Sequence, residues 1–216
     1  MEGDPAALAE VRALGVPRVP AVAVGGRVVH GWNPRGYAEL VGVEYREADK
    51  LPPAELHRRL DRILASAEGL IRDMPAAHLG VKPPERNRDL RDLAFHVFRV
   101  GLTFPDAMDS GRLPEEWFEE RAPRDLADGP AVARYGALVR GRVGGWAEGA
   151  AASEYERVVD VYYGPQSGHE LLERTTWHAA QHLRQLYALA EGLGVRPPEP
   201  LPAAALEGLP LPDSVW

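Results

Sequence analysis

The sequence predicts a mainly α-helical bundle preceded by a small α/β segment. Three observations carry this. Residues 51–195 keep an amphipathic three-and-four spacing, residues before 45 lack it and are rich in Gly, Pro and Val, and residues 196–216 form a proline-rich tail. The 216 residues allow one large domain or one ordinary domain with a small partner, at roughly 100–200 residues per domain. With 45% hydrophobic and 26% charged residues, the chain can bury a core and does not read as disordered.

In the first part, Pro5 to Leu14 reads as a short helix ended by Gly15, and Val19 to Val24 as a buried strand. Gly25 and Gly26 supply a tight turn, and Arg27 to His30 returns as the second strand of a hairpin. Asn33 then caps a helix that opens with Pro34 and reaches Val41. A domain boundary falls between residues 43 and 52.

Four amphipathic helices follow. The first carries Leu56, Leu60, Ile63, Leu64, Ala67, Leu70, Ile71 and Met74 on one face and stops at Pro75. The second runs from Asn87 to Met108, with Leu90, Leu93, Ala94, Val97, Phe98 and Leu102 facing inward. The third spans Pro130 to Ala150, weakened by Gly136, Gly141, Gly144 and Gly145. The fourth begins at Ser167, an N-cap, and ends at Gly192 or Gly194, and an extended stretch over Tyr155 to Tyr163 precedes it.

Composition narrows the function. A net charge of −7 argues against a nucleic-acid partner. The absence of cysteine removes disulfides, thiolate nucleophiles and cysteine metal sites. No apolar run is long enough for a membrane span, and Met1-Glu2-Gly3-Asp4 lacks the basic start of a signal peptide, so a cytoplasmic protein is expected.

Any metal must therefore rest on His, Asp, Glu or water. His178 and His182 lie four residues apart, about 40° in direction on a helix, and can reach one ion together. His96, mid-helix among apolar residues, is the third candidate ligand. His169, nine residues before His178, falls half a turn out of phase. Asp92, one turn before His96, and Arg174 and Gln181 beside the histidine pair are candidates to orient ligands or substrate. The acidic run Glu115 to Glu120 either covers a site entrance or is a solvated loop. Ala179 replaces the glutamate of a zincin motif, which excludes that protease chemistry. Histidines at this spacing also serve as ordinary core residues, and that reading stays open.

The segments Leu93-Ala94-Phe95-His96-Val97 and Arg174 to Gln185, with the closing Gly208-Leu209-Pro210-Leu211-Pro212, resemble the DinB/YfiT-like superfamily over residues 51–216. The resemblance implies an up-up-down-down four-helix bundle, frequently a homodimer, in which His96, His178 and His182 hold a divalent ion, zinc or nickel. It also implies either thiol transfer, with a low-molecular-weight thiol as cofactor, or hydrolysis. Residues 1–45 resemble the second half of a glutaredoxin, with Pro20 at the cis-proline position and Gly31-Trp32-Asn33-Pro34 opening the last helix, but without a CxxC turn. The expected domains are thus a partial glutaredoxin-like segment (1–45), a DinB-like bundle (51–195) and the tail (196–216). The expected function is a metal-dependent enzyme acting on a small molecule with an activated thiol or water. The alternative is a non-catalytic ligand-binding or stress-response module with a structural metal.

Overall fold

The computed structural model describes residues 9, 12–16, 21–31, 33–46, 49–83 and 88–215. Most of the expected Pro5–Leu14 helix lies outside these residues, as do Pro20, Trp32 and Asn87. The chain forms two compact units, residues 1–49 with 161–165, and residues 50–160 with 166–216.

In the first unit, β1 (Ala21–Val24) pairs antiparallel with β2 (Arg27–His30), Ala21 opposite His30 and Val24 opposite Arg27. Gly25 and Gly26 join them at φ of 56° and 78°. Positive φ at both central positions is what a two-residue hairpin turn demands, and glycine meets it without a Cβ clash. The helix α1 (Pro34–Val41) is capped by Asn33, whose side chain accepts the Gly36 N–H at 2.8 Å.

The second unit is a bundle of α2 (Pro53–Arg72), α3 (Leu90–Ser110), α4 (Gly129–Gly149) and α5 (Gly168–Gly192). The apolar stripe of α2 from Leu56 to Ile71 is buried, as its periodicity requires. The helix α3 starts at Leu90 because Asp89 caps it, accepting the Asp92 N–H at 2.8 Å, so Arg88 and Asp89 precede the helix that the sequence pattern begins at Asn87. Asp128 caps α4, and a Ser167–Glu170 capping box opens α5. A small sheet joins β3 (Arg112–Leu113), β4 (Val158–Val161) and β5 (Gln166–Ser167), and β4 lies within the expected extended stretch.

Both α2 and α3 pack against α4 and α5, so α2 lies diagonal to α3. Side-chain pairs give the directions. His57 meets Phe104 and Leu64 faces Gly101, so α2 and α3 run antiparallel. Phe95 stacks on Tyr135 at 5.1 Å and Phe104 meets Trp146 at 4.8 Å, so α3 and α4 are parallel. His169 reaches the Leu51 carbonyl at 2.8 Å and Tyr187 reaches Ser66, so α5 is parallel to α2. The order is up-down-down-up, which corrects the up-up-down-down expectation. The long crossover lies instead between α3 and α4.

That crossover, residues 111–128, must return along a helix of 21 residues, about 32 Å. It does so on α3 itself. Arg99 lies under the Trp117 ring at 5.1 Å and binds both carboxylate oxygens of Glu120 at 2.7 and 3.0 Å. Asp92 then accepts from Arg121 and from the Ala122 N–H, each at 3.0 Å.

Two predictions follow from packing and burial. A Cβ at Gly136 would sit 2.5 Å from the Phe98 ring, whereas one at Gly144 meets nothing within 4 Å. Helix propensity alone favours alanine at both sites by about 1 kcal/mol. Urea unfolding should show Gly144→Ala stabilised, and Gly136→Ala destabilised by about 1–3 kcal/mol through overpacking. Burial beside Phe104, Trp146 and Tyr155 pushes the pKa of His57 from 6.5 down to about 4. The unfolded chain therefore takes up this proton at a higher pH than the folded one, and stability present above pH 6.5 is lost as the pH falls toward 4. Chemical denaturation of His57→Phe should show a shallower decline than the wild type across that window.

Candidate metal centre

The helix α3 carries His96, buried to 4% exposure, and α5 presents His178 and His182 one turn apart. Because α3 and α5 are packed neighbours, the three rings converge. His96 lies 4.6 Å from His182 and 6.0 Å from His178 between ring centroids. The Nε2 atoms of His178 and His182 are 3.0 Å apart, and one ring nitrogen from each of the three residues lies within 4.8 Å of the others. These are the three histidines the sequence brings forward. His169 is elsewhere, bound to the Leu51 carbonyl, as its phase requires.

Burial keeps His96 and His178 neutral. The pKa of His96 is pushed down to about 2, first by desolvation and then by the charges of His182, Arg88, Arg121 and Arg99. His178 is held well below the usual histidine range by desolvation, then by His182, His96, Arg174 and Arg88. Neutral imidazole is the form that ligates metal. The Nδ1 atom of His96 is buried and has no hydrogen-bond partner. Phe118 of the crossover closes one side, 5.3 Å from His178 and 6.4 Å from His96, and Trp177 lies 5.8 Å from His178.

A residue that the sequence reading missed sets the tautomer of His182. Gln185 donates through Nε2 to the Val215 carbonyl at 3.0 Å, which fixes its amide orientation, so its Oε1 must accept from His182 Nδ1 at 2.8 Å. The Nδ1 of His182 therefore carries the proton and Nε2 presents a lone pair. The i, i+3 spacing of His182 and Gln185 was the available signal. The anchor on Val215 was not visible in the sequence.

The other candidates take different places. Asp92 pins Arg121 and Ala122 of the crossover. Gln181 donates to the Ser214 and Val215 carbonyls and accepts from Arg184, tying the tail to α5. Arg174 lies over the Trp177 ring at 5.3 Å, beside the cluster and not within it.

Solved structures share this bundle. It is similar to a DinB-like protein, YjoA, from Bacillus subtilis (16% identity, TM-score 0.53, 68% of this chain and 95% of that one). It is also similar to YfiT from Bacillus subtilis, described as a probable metal-dependent hydrolase with an unusual four-helix bundle topology (13% identity, TM-score 0.57, 71% and 96%). A DinB-like protein from Bacillus cereus matches as well (14% identity, TM-score 0.53, 64% and 91%). No family model matches the sequence, and no curated protein does. The fold of the bundle is DinB-like. Among the described residues, no helix is long and apolar enough to cross a membrane.

Because Asp92 receives a buried backbone N–H and a guanidinium, Asp92→Ala should lower stability by about 1–3 kcal/mol. Urea unfolding measures this, and Asp92→Asn, which keeps an acceptor for Ala122, should recover part of it.

Proposed function

We propose that His96, His178 and His182 hold one divalent metal ion, zinc or nickel, and that the protein is a metal-dependent enzyme of the hydrolase type. The observation that carries this reading is the convergence of three imidazoles from two facing helices, with His96 and His178 held neutral by burial. The residues fit the ion. His96 and His178 are held neutral, one buried ring nitrogen of His96 has no protein partner, and Gln185 holds His182 with its Nε2 lone pair presented. Metal-ligating histidines are held by such outer hydrogen bonds in general. The description of YfiT supports hydrolysis.

When bound, the ion would supply Lewis acidity, lowering the pKa of water or of a thiol toward neutrality. The chain's own part is to hold the ligands, to wall the site with Phe118 and Trp177, and to limit water there. Among the described residues, no fourth His, Asp or Glu joins the cluster. Structural zinc sites close with four protein ligands, so three favour an open catalytic position over a structural metal. The chain has no cysteine, so a thiol-transfer variant of this chemistry takes its sulfur from a free low-molecular-weight thiol. The glutaredoxin-like character read in residues 1–45 supports that variant by analogy alone.

Elemental analysis of untagged protein tests the reading. Near-stoichiometric zinc or nickel is expected in the wild type and none in folded His178→Ala. Competition with a chelating dye should show Gln185→Leu binding the ion about 10–100-fold more weakly, with Gln185→Glu close to the wild type. A wild type that stays metal-free after incubation with either ion overturns the proposal.

A further inference from the structure

Arg88 stands directly before the Asp89 cap of α3, half-buried. Its guanidinium donates to the backbone carbonyls of Phe118 and Glu120, the latter at 3.0 Å, and to no carboxylate among the described residues. Asp92 and Glu119 act on it only through space, and Asp92 is already bound by Arg121 and the Ala122 N–H. Phe118 hands the position on, since its carbonyl holds Arg88 while its ring lies against His96 and His178.

Two neighbouring cations, Arg99 and Arg121, differ from Arg88 in their partners. Arg99 is neutralised by Glu120 and Arg121 by Asp92, while Arg88 is held by carbonyl dipoles. A partly buried charge without a counter-ion is costly, and an anion that enters beside it relieves the cost. Two of the five N–H donors of Arg88 are used on carbonyls, and the rest of its fork can receive an oxyanion.

We propose that the substrate of this centre is an anion, a small molecule whose carboxylate or comparable oxyanion is seated on Arg88 beside the three histidines. This rests on the metal-centre reading, because the divalent ion adds two positive charges that the neutral ligand set does not offset. Arg88 is then a specificity-determining residue. It selects anions over neutral molecules of the same shape and carries no bond-making role.

The test uses the full chain loaded with Co²⁺, whose visible spectrum reports ligands at the metal, titrated with acetate, inorganic phosphate and neutral acetamide. Metal content is measured on every sample. Acetate and phosphate should perturb the spectrum, acetamide should not, and Arg88→Gln should keep its metal while losing about tenfold in anion affinity. Equal anion affinity in wild type and Arg88→Gln, with metal present in both, overturns the anion proposal and leaves the metal centre standing. A wild type that takes up no metal overturns both. Should Arg88→Gln fail to fold, a crystal structure of the metal-loaded wild type with phosphate decides. An oxygen within hydrogen-bonding distance of the Arg88 guanidinium is expected, and an anion seated away from it overturns the proposal.

Discussion

The parallel pairing of α3 with α4 obliges the chain to travel the length of α3 between them, and much of the site depends on that return path. Residues 111–128 lie along α3 because that helix carries the groups that hold them, Arg99 for Glu120 and Asp92 for Arg121 and Ala122. The same path brings Phe118 against two histidines and places two carbonyls where Arg88 can bind them. Buried polar groups on α3 thus act as fasteners for a cover. An unpaired Asp92 or Arg99 beneath that cover would be costly, so the crossover and the helix face specify one another.

A second segment bears on the centre indirectly, from the C-terminal side of α5. The tail after α5 is bound through its backbone, with Arg184 on the Pro212 and Asp213 carbonyls, Gln181 on Ser214 and Val215, and Gln185 on Val215. Proline-rich chain suits this role because it is already extended and loses less conformational freedom on docking. Through Gln185 the tail reaches His182, so a loop-like region with no chemistry of its own fixes a ring nitrogen in the cluster. Electrostatics complete the arrangement. His96 and His178 are held neutral, first by burial and then by neighbouring cations, in a chain whose overall charge is −7. Net charge here says little about local potential, which is set by which side chains the fold brings together.

The sequence by itself determined the elements and the histidine pair. Apolar spacing gave the α2 face from Leu56 to Ile71, Asn33 and Ser167 announced their caps, Gly25-Gly26 announced the hairpin, and i, i+4 geometry put His178 and His182 on one side of a helix. All of these are local, readable from dihedral preference and helical repeat within a few residues. The start of α3 falls at Leu90, three residues after the expected Asn87, because the Asp89 side chain caps the helix by accepting the Asp92 N–H. Tertiary structure alone decided helix direction and the parts played by Asp92, Gln185 and Arg88, and it brought together the His96, His178 and His182 that the sequence put forward. Asp92 looks like a helper of His96 from its position one turn away, yet its oxygens face the crossover thirty residues on. Such contacts depend on how long segments return across the bundle. Neither residue type nor spacing encodes that return, because only packing selects among the directions that the loops permit.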